Sequence, residues 1–253
     1  MLVQERQQKI IDILRKEKTI SLRKLKDLFY VSEATIRRDL SKLEQKGIIQ
    51  RTHGGAILPD SSAEESSILV RQQTQIKEKK KIAHGCLQLI SDNASVFLDS
   101  STTIGHLLYL LKDRKGLTII TNGLNNAMIA SQSTNANLYL TPGIVFTKTN
   151  SVLGADTIDY VSGFNCNYFI FSCSGISLNH GVMEASFEQK MVKKAMLRKS
   201  DHHILLVDHT KFEKIYMTTT CDFDVIDVVI TDEDPSDDYV KMFKDHNVEL
   251  IVV

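Results

Sequence analysis

The sequence predicts an α/β domain with a parallel-rich sheet, preceded by a small α+β domain at the N-terminus. Three observations carry that expectation. From Ser95 onward, seven short apolar stretches are mostly separated by helical ones. Before Pro59, apolar residues recur at helical spacing and then give way to a hairpin pattern. Between the two lies a short polar and acidic run, PDSSAEESS at residues 59–67, with the composition of a linker. A chain of 253 residues has room for both domains. The expected boundaries are 1–58 for the first domain, 59–73 for the linker and 74–253 for the second domain.

The formal net charge is zero, which looks unpromising for a nucleic-acid binder, but the charge is unevenly placed. Residues 1–57 hold 13 Lys and Arg against 7 Asp and Glu, and the remaining residues hold 18 against 24. A basic head on an acidic body is the footprint of one domain that meets a phosphate backbone. Four cysteines, Cys86, Cys166, Cys173 and Cys221, are widely spaced and form no C-x-x-C pair. With no signal peptide and no apolar run long enough to span a bilayer, they read as reduced thiols of a cytoplasmic protein.

In the first domain, Gln4–Glu17 places Ile10, Ile11, Ile13 and Leu14 on one helical face. Thr19–Ile20 can supply a short strand, and Ser21 then caps a second helix carrying Leu22, Leu25, Leu28 and Phe29. Tyr30–Val31 turns into a third helix across Val31–Leu43. On a helical wheel, Leu40 and Leu43 fall within about 40° of Ile36, one narrow apolar stripe. Ala34, Arg37, Arg38, Ser41 and Gln45 fall opposite, with Lys42 at the margin. Ser32 precedes the first turn and suits an N-cap. Ile48–Leu58 then reads as a two-stranded hairpin turning at Gly54–Gly55. Helix, helix, arginine-bearing helix and hairpin is the order of a winged helix-turn-helix, whose second motif helix enters the DNA major groove.

In the second domain the expected strands are Val96–Leu98, Leu117–Ile120, Leu138–Leu140, Tyr168–Phe171, Ile204–Val207, Val225–Ile230 and Leu250–Val253. Helices are expected near Ile104–Leu111, Asn125–Ser131, Thr157–Gly163, Phe187–Arg198 and Asp237–His246, after a lysine-rich helix at Ile76–Ile90 whose lysines read as a solvated face. Continuous apolar strands imply a sheet covered on both faces. Small, hydroxyl-bearing or glycine residues follow strand after strand. They are Asp99, Ser100, Ser101, Thr102 and Thr103; Thr121, Asn122 and Gly123; Thr141, Pro142 and Gly143; Ser172 to Gly175; and Asp208 to Lys211. In a parallel sheet these loops share one edge, where ligands bind. The first loop runs into a helix N-terminus, whose free N–H groups suit a phosphate.

VSEATIRRDL followed by LEQKGIIQRTHGGA resembles the signature of the DeoR family of bacterial sugar-metabolism regulators. The likeness continues in LDSSTT at 98–103, with Ser101 where glycine is usual, and in Thr121-Asn122. It is also seen in Thr141-Pro142-Gly143, where L-x-G-G is common, and in DHTKF at 208–212. The resemblance implies a winged-helix DNA-binding domain on a sensor domain with the fold of ribose-5-phosphate isomerase and its CoA-transferase-like relatives. Arg37, Arg38 and Lys42 would then meet base edges and phosphates, Ser32 and Thr35 would anchor the helix start, and Arg51 and His53 of the wing would touch backbone or minor groove. A phosphorylated sugar would bind through Asp99, Ser100, Ser101, Thr102, Thr103, Thr121, Asn122, Gly143, Gly175 and Lys211. In that reading Lys211 supplies the counter-charge and Asp99 accepts from sugar hydroxyls. A side chain at Ser101 restricts backbone approach to an anion and disfavours positive φ, so either the loop is shaped differently or the effector departs from the family's usual ones.

The partners expected are double-stranded operator DNA, a small phosphorylated sugar and further copies of the chain, with no membrane and no cofactor. The location expected is the cytoplasm, nucleoid-associated when bound to operator. No Walker A, G-x-S-x-G, G-x-G-x-x-G or H-E-x-x-H occurs. His202 and His203 are consecutive on a strand and face opposite ways, which disfavours a shared metal. The rival reading is a sugar-phosphate isomerase or deaminase fused to a DNA-binding head, with Asp99, Asp208, Glu184, Glu188 and Lys211 as acid/base groups.

Overall fold

The computed structural model describes residues 2–45, 48–57 and 66–253. Two compact units divide the chain, one containing the described residues up to 57 together with 66–71, the other running from 72 to 253.

The first unit contains α1 (Val3–Glu17), β1 (Thr19–Ser21), α2 (Leu22–Phe29), α3 (Glu33–Gln45), β2 (Gln50–Thr52), β3 (Gly55–Ile57) and α4 (Ile68–Gln72). Ser21 caps α2 by accepting from the Lys24 amide at 3.2 Å, and Ser32 does the same for the Thr35 amide at 3.2 Å. β3 lies between β1 and β2 in a small antiparallel sheet, with the tight turn at His53–Gly54. Ile36, Leu40 and Leu43 of α3 are buried against Ile10, Leu14, Ile20 and Leu25, so the stripe is a core face. Leu28, in contrast, is exposed.

Asp39 adds a polar element to that core. At −60° from Ile36 on the wheel it faces inward, accepting from Arg6 Nε at 2.6 Å and Gln7 Nε2 at 3.2 Å. A buried carboxylate requires such partners, and the pair ties α1 to α3. Of the expected linker 59–73, residues 59–65 lie outside the described residues. Residues 68–72 form helix α4, whose Ile68 is buried and whose Val70 packs on the first unit's core. Leu58, the expected end of the hairpin, also lies outside the described residues.

The second unit contains α5 (Ile76–Leu87), β4 (Ser95–Leu98), α6 (Thr102–Leu108), β5 (Thr118–Thr121), α7 (Leu124–Ser133), β6 (Asn137–Leu140), β7 (Ile144–Phe146), β8 (Ser151–Leu153) and α8 (Ala155–Ser162). It continues with β9 (Cys166–Phe171), β10 (Gly175–Ser177), β11 (Gly181–Glu184), α9 (Phe187–Leu197), β12 (Ser200–Leu206), β13 (Thr218–Cys221), β14 (Val228–Thr231), α10 (Asp237–Asp245) and β15 (Glu249–Val252). The seven strands expected from the sequence pair in parallel in the order β15-β14-β12-β9-β4-β5-β6.

Strand alternation sends Phe97, Ile120, Phe169, Phe171, Leu205 and Val229 to one face, under Val161 of α8, Val192 and Met196 of α9 and Tyr239 and Phe243 of α10. Val96, Leu98, Ile119, Ile170, Ile204 and Ile230 face the other way, under α5, α6 and α7. The chain steps outward from β4 through β5 to β6, then returns to place β9 on the other side of β4. The strand order therefore reverses between β4 and β9, and a ligand crevice belongs at the carboxyl ends of those two strands. Two features escape the sequence pattern, the β7–β8 hairpin and an antiparallel sheet β10-β11-β13.

Candidate nucleic-acid interface and effector site

Helix α3 presents its polar face to solvent. Arg37, Arg38 and Lys42 are exposed, Ser32 is exposed at the cap, and Ser32 Oγ and Thr35 Oγ1 share a hydrogen bond at 2.9 Å. Arg37 pairs with Glu33 one turn earlier at 2.7 Å, whereas Arg38 forms no ion pair among the described residues. The two wing residues differ in setting. His53 stands exposed at the turn, but Arg51 folds back on α3, donating Nη1 to Ser41 Oγ at 2.7 Å and its amide to Glu44 at 3.0 Å. Arg51 thus fixes the wing against the arginine-bearing helix.

At the crevice between β4 and β9, Asp99 is the hub. Its carboxylate accepts from the Ser101 amide at 2.9 Å, the Ser172 amide at 3.1 Å and Lys193 Nζ at 2.9 Å. Lys193 comes from α9 and also donates to Glu184 Oε1 at 2.5 Å and Ser172 O at 2.6 Å. Burial works against the charge on Lys193, but Asp99 and Glu184 outweigh it and hold the ammonium above the ordinary lysine range. Glu184 takes a further bond from Ser174 Oγ at 2.9 Å. The strand-end loops are cross-linked in turn. Asn126 donates to Asp99 O at 2.7 Å and Ser101 O at 3.1 Å, and Ser151 bridges Ser100 and Gln189, each at 2.8 Å.

The loop after β4 is closely folded. Ser100, Thr102 and Thr103 are buried, and Ser101 caps α6 by accepting from the Ile104 amide at 3.4 Å. Ser101 has φ −72°, ordinary extended backbone, so the conformation at this position does not require glycine. Thr121 Oγ1 accepts from the Gly123 amide at 3.1 Å. Asn122 donates to Val152 O at 3.2 Å, and its buried Oδ1 has no partner among the described residues.

A Cβ at Gly143 (φ 140°) would lie 2.4 Å from Thr157 Oγ1, and one at Gly175 would lie 2.3 Å from Lys214 O. Protein fills the room of both missing side chains, so a side chain at either position would force a shift. Asp99 likewise has its carboxylate occupied by the protein. Lys211 closes the turn after β12, half-buried and without an ion pair among the described residues.

The sequence reading did not single out Lys193, Gln189, Ser151 or Asn126. Gln189 and Lys193 are buried on the same helix as Val192 and Met196, and a wheel through α9 would have flagged two polar residues beside its apolar stripe. Glu188 is exposed and bonded to Ser186, away from the cluster. Among the described residues, His209, Asp232 and Glu233 bring potential metal-ligand atoms within 4.8 Å. His209 gives both its amide (2.8 Å) and Nδ1 (2.7 Å) to Asp232, the arrangement of an imidazole oriented by a carboxylate. His202 packs near the Tyr168 ring while His203 reaches carbonyls, so the two do not converge.

A winged helix with an exposed basic face, joined in one chain to an α/β unit with a polar crevice at its strand ends, defines a DNA-binding regulator with a sensor domain. Comparison with known proteins agrees. Residues 6–62 match the DeoR-like helix-turn-helix domain, and residues 74–233 match the DeoR C terminal sensor domain. The chain belongs to the DeoR family of transcriptional regulators. It is 33% identical to the HTH-type transcriptional regulator YulB of Bacillus subtilis, covering 100% of this chain and 98% of that one. It is 31% identical to the glycerol-3-phosphate regulon repressor of Escherichia coli, covering 97% of each. A ribose 5-phosphate isomerase from Methanocaldococcus jannaschii overlays 56% of each chain at 14% identity with a TM-score of 0.43. Among the described residues no helix is long and apolar enough to cross a membrane.

Proposed function

We propose that this chain represses an operon for a sugar or related polyol and is controlled by a phosphorylated intermediate of that metabolism. It would act in the cytoplasm as a homo-oligomer without catalysing turnover. The observation that carries the DNA half of this reading is the face of α3, where Arg37, Arg38 and Lys42 stand exposed on a helix fixed by the Ser32 cap and the Arg6–Asp39 pair. The effector half is supported by the strand-order reversal beside Asp99 and by Lys211, a cation with no ion pair among the described residues. A relative named for glycerol 3-phosphate points to a small phosphorylated polyol.

The sensor reading is favoured over an isomerase because two of the carboxylates that would move protons are already occupied and a third, Glu188, points away from the crevice cluster. Asp99 and Glu184 are both held by Lys193 in a buried, mutually satisfied cluster. Glycerol 3-phosphate and a panel of pentose and hexose phosphates, titrated into the full chain by calorimetry, test this. One or more should bind, Lys211→Ala should weaken that binding about tenfold, and NMR of the bound compound should show no conversion. Turnover of any member would replace this reading with the enzymatic one.

A further inference from the structure

We propose that the open edge of the main sheet, β6 with the adjoining strand β7, is the surface on which a second copy of this chain docks about a two-fold axis. Among the described residues β6 is hydrogen-bonded on one side only, to β5. Asn137 and Thr141 donate their amides inward to Leu117 O and Thr121 O, so by alternation Leu138 and Leu140 turn theirs to the open side. The stretch along this edge also leaves apolar side chains exposed. Leu140 is 42% exposed, Ile144 65%, Val145 46% and Phe146 37%, with Tyr139 beside them. Between Asn135 and Asp156 the only charged residue is Lys148.

Natural edge strands that stay free are kept short or blunted by charge, proline or a bulge, and β6 and β15 are equally short, so the other devices distinguish them. β6 has none of these within it, whereas the opposite edge, β15, opens with Glu249. The surface is also firmly held. Thr157 Oγ1 donates to Pro142 O at 2.7 Å, pinning the turn from β6 to β7, and Tyr139 packs edge-on against Phe164 at 5.4 Å. Apolar side chains this exposed on a fixed backbone match a permanent partner better than a mobile loop does.

The occupant that fits is a second copy. A two-fold places β6 antiparallel to its own equivalent, so the same free amides and carbonyls satisfy one another and the interface closes on itself. With one lysine and no carboxylate in the stretch, facing copies meet little like-charge repulsion. A helix-turn-helix protein reads half-sites related by a two-fold, which this pairing would supply; that part of the inference rests on the regulator reading above.

The test compares the parent with Ile144→Lys/Val145→Lys, and with Met217→Lys as an exposed apolar control elsewhere. Sedimentation of the full chains should show the parent and control at the same mass and the double variant at half of it, with unchanged circular dichroism. A monomeric parent, or a double variant of parental mass, overturns the proposal. If the double variant does not fold, hydrogen exchange of the parent decides. Amides of residues 138–146 should exchange at least tenfold more slowly in concentrated than in dilute solution, and equal rates sink the idea. DNA binding separates the two readings. On a duplex selected by the parent from a random pool, the double variant should bind at least tenfold more weakly, while keeping parental affinity for one isolated half-site. A parent that selects no duplex refutes the regulator reading, while its mass still decides the interface.

Discussion

Lys193 Nζ stands 2.9 Å from Asp99 Oδ2, joining helix α9 to the end of the central strand β4 at the point where the strand order reverses. The contact organises the sensor crevice, because Asp99 also holds the backbone of its own loop and of the loop after β9.

Lys193→Met should therefore destabilise the chain strongly. It leaves Asp99 and Glu184 buried without their cation, a loss of about 3–5 kcal/mol, measurable by urea unfolding. Because the folded pKa of Lys193 is raised, its contribution is complete below the ordinary lysine value. It is lost only as pH climbs through the folded value, in the strongly alkaline range. Unfolding free energy that falls with Lys193→Met alone near neutral pH, and equally at high alkaline pH, would contradict this linkage.

His209 gives a pH dependence nearer neutrality. Burial lowers its pKa, but the hydrogen bond and charge of Asp232, with Glu233 and Asp208, more than offset it, and the net shift is upward. The stabilisation is fully present below the ordinary histidine value and is lost as pH rises through the folded one. NMR titration should place the His209 pKa above that of a free histidine, and Asp232→Asn should bring it down. No change on that substitution would mean that Asp232 is not the cause.

On α3, Arg38→Ala should weaken binding to a selected duplex by about 1–3 kcal/mol if it makes a bidentate base contact. Arg37→Ala should do the same while removing an exposed pair with Glu33 worth only about 0–1 kcal/mol to the fold. Both variants should melt like the parent. Parental affinity for DNA in both, in salt-matched titrations, would show that another surface binds.

Asp39→Ala and Leu40→Ala should instead damage the fold of the first unit. Asp39→Ala leaves Arg6 buried and unpaired, costing about 3–5 kcal/mol, and Leu40→Ala removes a core side chain worth about 2–5 kcal/mol. Proteolysis of the full chain should cut residues 2–57 faster in both variants. Cleavage at the parental rate would place these residues outside the core.

The local elements were legible in the chain itself. The Ile36/Leu40/Leu43 stripe, the Ser21 and Ser32 caps and all seven parallel strands follow from periodicity and turn chemistry within a few residues of each position. Short strands such as Ile144–Phe146 and Gly175–Ser177 did not announce themselves, because three residues carry too little alternation to distinguish strand from loop. The roles of single polar residues lay further out of reach. Asp39 reads as one more surface acid until α1 brings Arg6 to it, and nothing beside Gly175 in sequence shows that the Lys214 backbone packs against it. Lys193 reads as one of a pair of helix lysines until the sheet places Asp99 and Glu184 against it. The chain alone determined which segments are helices and strands and which strand ends carry polar loops, since those depend on neighbours in sequence. Only the tertiary structure decided which charges are buried together, because desolvation and Coulomb attraction act through space between residues far apart along the chain.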